Sequence, residues 1–271
     1  MRLMPQPEIQ EPMAPMYFVK LPLVQHEFNV RGLTVRDEDI LKGSATSPKK
    51  MSDTLNHLMY DCIESSMKTG ENAPFPTFTA FVNGITPSDR DALLFGIIMA
   101  SYDVEHDMSI QCGSCNTKTT EMINLASLLK VDMYAGDVPI LTKHPILQYP
   151  EYGWTVFLKQ PTLADEIKIL SSSKGDSAPE HQYLIVDHIE ATAKDDAGNT
   201  IPIVMTNPLE IYGAFASKPA KVRKRLIKEW KEAFGEHGIT ASFEGLCPNC
   251  GNPLQISISP LAHLFFLVAH A

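Results

Sequence analysis

A chain of 271 residues with 44% hydrophobic and 20% charged residues is long enough to bury a real core, as one large domain or two small ones with extensions. Its net charge of −9 disfavours nucleic acid as a partner, because phosphate contacts need a basic surface. The longest apolar run, Ala92 to Ala100, is too short to span a bilayer and no charged start with an apolar stretch opens the chain, so a soluble protein made in a reducing cytoplasm is expected.

Residues 1–24 hold Pro5, Pro7, Pro12, Pro15 and Pro22 without helical or strand periodicity, which predicts an extended Pro-rich arm. Met13, Met16, Tyr17, Phe18 and Leu21 have no local apolar partners, so the arm reads either as a disordered tail or as a strap that orders on a neighbouring subunit. A strand and helical region follows over 25–105. It begins with a strand through Phe28 and Val30, then a short helix capped by Thr34 with Asp37 and Glu38 in its first turn, where the helix dipole favours acids. Leu55, Leu58, Met59, Cys62, Ile63 and Met67 make one stripe of a helix from Ser52 to Met67, with Cys62 as a buried, inert thiol. Past a loop with Pro74 and Pro76, Thr86 and Pro87 supply the N-cap and first-turn proline of a helix carrying Leu93, Leu94, Phe95, Ile97, Ile98, Met99 and Tyr102. It is apolar almost all round and is therefore expected to be buried.

Residues 106–126 contain the first of two Cys-x-x-Cys motifs, QCGSC with Cys112 and Cys115. Met108 and Ile110 before it and Met122 and Leu125 after it give hairpin patterning, and Gly113 frees the bend. An inserted α/β region over 127–240 reads as a strand at Trp154–Leu158, a helix at 162–170, a polar break at 171–177 and a helix from about Glu180 to Glu190. It continues with a turn at 196–199, a strand at 201–205, and a helix capped by Asn207 and Pro208 through Leu209, Tyr212 and Phe215. Its last element is an amphipathic helix from Val222 to Phe234, with Leu226, Trp230 and Ala233 on the apolar side. Lys221, Arg223, Lys224, Arg225, Lys228 and Lys231 occupy the remainder, as a solvated face, a contact for an acidic protein or a contact for nucleic acid. Residues 241–271 carry the second motif, LCPNCG with Cys247 and Cys250, shaped by Pro248 and Gly251. Leu254, Ile256 and Ile258 then precede a C-terminal helix opened by Ser259 and Pro260, in which Phe265, Phe266 and Leu267 are expected to close the core.

Two residues between cysteines let a tight turn aim both sulfurs at one ion, and a tetrahedral site needs two such pairs. Cys112, Cys115, Cys247 and Cys250 are therefore read as ligands of one structural Zn²⁺, although about 130 residues lie between the pairs. Closing such a loop costs on the order of 4 kcal/mol, whereas structural zinc contributes roughly 10 to 16 kcal/mol in peptides at neutral pH. The competing reading is a disulfide or thiol-exchange pair, since Cys-x-x-Cys alone also serves that chemistry. The fold class predicted is α+β: a mixed helical domain with a zinc ribbon split between two distant knuckles, plus the N-terminal arm.

No catalytic constellation emerges. His188, Glu190, Cys247 and Cys250 superficially fit a zinc nucleobase deaminase, but that signature needs proline where Leu246 stands and leaves Cys112 and Cys115 without a role. A closed four-thiolate site has no open position for water or substrate. Serine-hydrolase, phosphate-loop and zinc-protease motifs are absent from the sequence, and the nine histidines lack ligand spacing. His106 reads either as a partner of the sulfur site or as an ordinary strand histidine, and Asp187 and Glu190 as surface carboxylates. The chain is not expected to be an enzyme.

Several segments carry a resemblance when taken in order: Leu33–Leu41 (LTVRDEDIL), Phe75–Phe78 (FPTF), the apolar helix, the first knuckle with Glu121–Leu125 (EMINL), Leu158–Leu163 (LKQPTL), the second knuckle and Leu261–Phe266 (LAHLFF). Over residues 25–268 the chain resembles the baseplate hub subunit or hub-assembly family of T-even-type contractile-tailed bacteriophages. The Pro-rich arm and the 171–179 stretch depart from the family pattern. The resemblance implies a virion or virion-assembly protein at the centre of the tail tip, made in the host cytoplasm, contacting other hub proteins or the tape measure and performing no catalysis. Two readings of other classes stay open: a zinc-ribbon adaptor for nucleic acid or the transcription machinery, acting through the 221–231 helix, and a thiol oxidoreductase.

Overall fold

The computed structural model describes residues 15–44, 47–172, 183–194, 197 and 199–270. Strand β1 (Met16–Lys20) pairs antiparallel with β2 (Glu27–Arg31). The segment from Met16 to residue 24 is thus strand and core instead of the expected extended arm. Val19, Leu21 and Leu23 recur at the period of a strand and are all buried; Pro15 and Pro22 bracket the strand, where a missing N–H is tolerated. Residues 1–14, Met13 among them, lie outside the described residues.

In α1 (Val35–Ser44), Thr34 caps the helix as read from the sequence, and Asp37 answers it: each accepts the other's backbone N–H, at 2.9 and 3.3 Å. Helix α2 (Pro48–Cys62) starts ahead of its apolar stripe because Ser47 accepts from the Lys50 N–H and Pro48 takes the first turn. It stops at Cys62; Ile63 bridges to Val30, and a 3-10 turn over Ser65–Met67 carries the rest of the stripe. After α3 (Phe78–Gly84), α4 (Pro87–Ser101) opens with Thr86 and Asp89 capping each other and buries every residue from Ala92 to Ile98. It is the axis of the larger core, packed by β1, β2 and α2. Gly96 permits that packing, because a Cβ there would sit 2.2 Å from Val19 Cγ2.

Strands β3 (Glu105–Gln111) and β4 (Lys118–Asn124) form the first hairpin, with Ile110 and Ile123 turned inward. Met122, expected inward, pairs with Asp107 and is 71% exposed, because alternation from Ile123 places it on the opposite face. Leu125 is buried, as the first residue of the short α5 (Leu125–Leu128) and not as part of the strand. Next come β5 (Leu129–Asp132), β6 (Ile146–Tyr149), β7 (Trp154–Leu158), α6 (Leu163–Ser172), β8 (Val186–Lys194) and β9 (Thr200–Met205). Strands β6 to β9 form an antiparallel meander. With α7 (Pro208–Ala216) and α8 (Ala220–Phe234), they enclose a second core of Tyr149, Trp154, Phe215, Leu226 and Phe234.

The helix expected from Glu180 to Glu190 is not formed: 186–190 lie in β8, and 180–182 are outside the described residues. A bulge explains the misreading. His188 pairs with Phe157 but Val186 pairs with Leu158, so Asp187 is an extra residue and Val186 and Ile189 share a face at a spacing of three, imitating a helical stripe. The polar break from 173 onward, and Asp196 and Gly198 of the expected turn, also fall outside the described residues.

Strand β10 (Gly238–Leu246) pairs on one side with β11 (Pro253–Ser257) and on the other with β5, Ala241 opposite Leu129 and Gly238 opposite Asp132. The chain leaving the first hairpin is therefore hydrogen-bonded to the chain entering the second. Helix α9 (Pro260–His270) lays Leu264 and Val268 into the larger core against α4, while Phe266 is 44% exposed, so Phe265, Phe266 and Leu267 do not close the core as a block. Helices and separate antiparallel sheets in one chain make the fold α+β.

Candidate metal centre

Each Cys-x-x-Cys motif forms the tip of a hairpin, and the two tips are built alike. In the first, the Cys112 N–H donates to the Thr117 carbonyl and the Asn116 N–H to the Cys112 carbonyl, both at 2.9 Å. In the second, the Cys247 N–H donates to the Asn252 carbonyl and the Gly251 N–H to the Cys247 carbonyl, both at 2.8 Å. The residue after the second cysteine is left-handed in both, Asn116 at φ 57° and Gly251 at φ 70°. Glycine and asparagine are the residues that take this conformation most readily. Gly113, expected to provide the bend, is not left-handed; Asn116 has that role.

Pairing of β5 with β10 brings the tips together. All four Sγ atoms lie within 4.8 Å of one another, and close approaches cross between hairpins: Cys112 to Cys250 at 3.7 Å and Cys115 to Cys247 at 3.6 Å. Zinc–sulfur bonds of about 2.3 Å in a tetrahedron put the sulfurs about 3.8 Å apart, whereas a disulfide needs about 2.05 Å. All four are free thiols, and the two cross pairs lie at the former spacing. A thiol-exchange pair would instead join the two sulfurs of a single motif.

The sulfurs are tuned by neighbours the sequence did not single out. The Ser114 N–H donates to Cys112 Sγ at 3.4 Å, Thr117 Oγ1 lies 3.3 Å from Cys115 Sγ, and the Asn249 amide donates to that same hydroxyl at 3.1 Å, tying the hairpins together. Hydrogen bonds from the Thr117 hydroxyl and backbone and from Asn249 pull the Cys115 thiol down to about 5. The backbone N–H groups of Cys115 and Ser114 lower Cys112 as well. Cys250 is pushed up to about 12: the Asn252 N–H favours its thiolate, but burial and bonding to the other three sulfurs outweigh it. A bound cation would allow all four to ionise together. The signal for Thr117 and Asn249 was positional, since one follows the first motif closely and the other lies within the second.

Around the sulfurs the apolar support is thin, with Ile110 and Leu254 buried beside Cys112 and Cys247. Among the described residues no other group of three or more His, Cys, Asp or Glu is placed to hold a metal. His188 is in β8, stacked on Phe157 at 4.1 Å with Nδ1 2.8 Å from Asp187, and does not join the cysteines. His106 rests edge-on against His263 of α9 at 5.2 Å. Cys62 is buried in the larger core, and burial pushes its thiol up to about 12, leaving it inert at neutral pH. No helix among the described residues is long and apolar enough to cross a membrane.

A family model described as T4 bacteriophage base plate protein matches residues 13–266, a span that contains both hairpins, the second core and the larger core except Val268. Comparison with curated proteins and with solved structures finds no match.

Proposed function

The chain belongs to the T4 bacteriophage base plate protein family, and from that membership we propose that it is a structural component of the baseplate hub, folded around one zinc ion and acting through contacts with other hub and tail proteins. The family supports a structural role in the tail. The order of its segments from Leu33 to Phe266 favours the hub within the baseplate. The observation that carries the zinc reading is the meeting of four sulfurs from two distant hairpins at the spacing of a four-thiolate site. Cys112, Cys115, Cys247 and Cys250 would hold the ion. When bound, zinc supplies a closed tetrahedral link between the hairpins and offers no open position for chemistry. The rest is this chain's own work: β5 and β10 align the tips, while Asn116 and Gly251 turn them.

Two measurements test the reading. Elemental analysis of the purified protein is expected to give one zinc per chain, and a metal-free protein with the same melting curve overturns the zinc part. Electron cryo-microscopy of intact tails is expected to place this fold at the centre of the baseplate. Density for it elsewhere in the baseplate overturns the hub assignment, and its absence from tails that nonetheless need it to assemble makes it an assembly factor.

A further inference from the structure

The first half of α8 carries a charge pattern that folding does not call for. Lys218, Lys221, Arg223, Lys224 and Arg225 all precede the first acid of the helix, Glu229. Cations at a helix N-terminus oppose the macrodipole, and the first turn of α8 has no acidic residue. Further along, the charges are matched: Arg225 with Glu229 at 3.9 Å, Lys228 with Glu232 at 3.4 Å, and Lys231 with Glu236. Lys221, Arg223 and Lys224 are exposed and have no ion-pair partner among the described residues.

The patch is also rigidly mounted. Tyr149 of β6 donates its hydroxyl to the Val222 carbonyl at 3.0 Å, and Val222 and Leu226 anchor the helix in the second core. Aromatic rings hold the flanking cations, with Lys218 Nζ 4.8 Å from the Tyr152 ring and 5.2 Å from Trp154, and the Arg225 guanidinium 4.8 Å from the Tyr149 ring. Lys221 and Lys224, one turn apart, are thus presented at fixed spacing before any partner arrives, which lowers the ordering cost of binding.

We propose that this end of α8 docks an acidic segment of another tail protein, with Lys221, Arg223 and Lys224 as its contacts. Charge complementarity selects the partner's chemistry. The unmatched cations span only about 5 Å of helix axis, enough for a few carboxylates but short for tracking a phosphate backbone. The remainder of a chain of net charge −9 repels a polyanion that reaches past the patch by more than a Debye length of about 8 Å. The inference rests on the tail role only for where the partner sits.

The test compares the purified full chain with a Lys221→Glu, Arg223→Glu, Lys224→Glu variant. The substitutions are exposed and remove an adverse dipole interaction, so the melting temperature is expected to hold; if it falls, the neutral Gln triple takes their place. A fluorescent tetraglutamate peptide at about 50 mM salt is expected to bind the variant about tenfold more weakly than the native chain. Equal binding overturns the proposal, and so does tighter binding of an oligothymidylate of the same length, which transfers the patch to nucleic acid. In phage carrying the variant, its incorporation into tails is expected to fall by about the same factor. Undiminished incorporation also overturns the docking proposal, whereas failure to find the native protein in tails at all counts against the tail role and leaves the peptide result to decide the patch.

Discussion

Around α4, Leu93, Leu94, Phe95, Ile97 and Ile98 are no more than 1% exposed and are enclosed by strands and helices on every side. Around the sulfurs only Ile110 and Leu254 are buried with Cys112 and Cys247, while Met122 and Leu246 of the same hairpins are 71% and 69% exposed. Burying an aliphatic side chain contributes about 1.5 to 3 kcal/mol, and ordering each backbone residue costs about 1 to 2 kcal/mol. Two buried side chains, with Met108, Phe243 and Ile256 only partly buried against them, leave the hairpin tips far less apolar burial than the α4 core has. The difference shows where a staple would matter: the fold holds itself by burial in one place, and in the other the proposed ion would supply what burial does not.

Removing the proposed ion is expected to be the largest perturbation and is the most direct way to break that comparison. Structural zinc contributes on the order of 10 kcal/mol in peptides, so chelation or Cys247→Ser is expected to release the hairpins from each other. Amide exchange in β3, β4, β11 and the knuckle end of β10 should rise by more than about a hundredfold, with α4 amides still protected. Thiol labelling gives an independent count. Four cysteines become reactive after chelation, and Cys62, buried at the end of α2 with its thiol up at about 12, stays unreactive. If Cys62 reacts together with the four, hairpins and core form one cooperative unit and the contrast between them is false.

Phe95→Ala attacks the opposite side. Emptying a site that is 1% exposed costs about 3 to 5 kcal/mol, read as a lower midpoint in denaturant unfolding, while the folded variant keeps its zinc stoichiometry. Loss of metal in native buffer would show that the core, and not the sulfurs, positions the hairpins.

Both regions left a local signal in the sequence, while other elements did not. The sulfur ligand pattern and the Thr86-capped helix rest on local chemistry, a spacing in one case and a cap followed by proline in the other, and both kinds of signal survive in any context. What failed depended on pairing between distant segments. Val186 and Ile189 imitate a helix only because Asp187 bulges against β7, and nothing near Asp187 announces it. The strand at Met16–Lys20 was hidden by its bracketing prolines although Val19, Leu21 and Leu23 kept a period of two. At the four-sulfur cluster, the cysteines that meet were legible but their support was not: Thr117 and Asn249 matter because the two tips face each other, which is a fact of tertiary structure.

The smallest effect sharpens the comparison within the metal centre itself, between the two tips. They share the same hydrogen bonds and the same left-handed position, yet one uses Asn116 and the other Gly251. A Cβ built on Gly251 meets nothing within 4 Å, so Gly251→Ala is opposed by backbone conformation alone, at about 1 to 2 kcal/mol. Gly251→Asn should cost less, because asparagine tolerates this region and already serves at position 116. Asn116→Gly should fall within about 0.5 kcal/mol of the native chain, the permissive backbone offsetting its extra freedom in the unfolded state. Zinc affinity measured by competition is the readout, since each tip contributes two of the four sulfurs. A Gly251→Ala variant that binds as tightly as the native protein would mean that the tip does not need the left-handed turn, and that the ion, not the backbone, sets its shape.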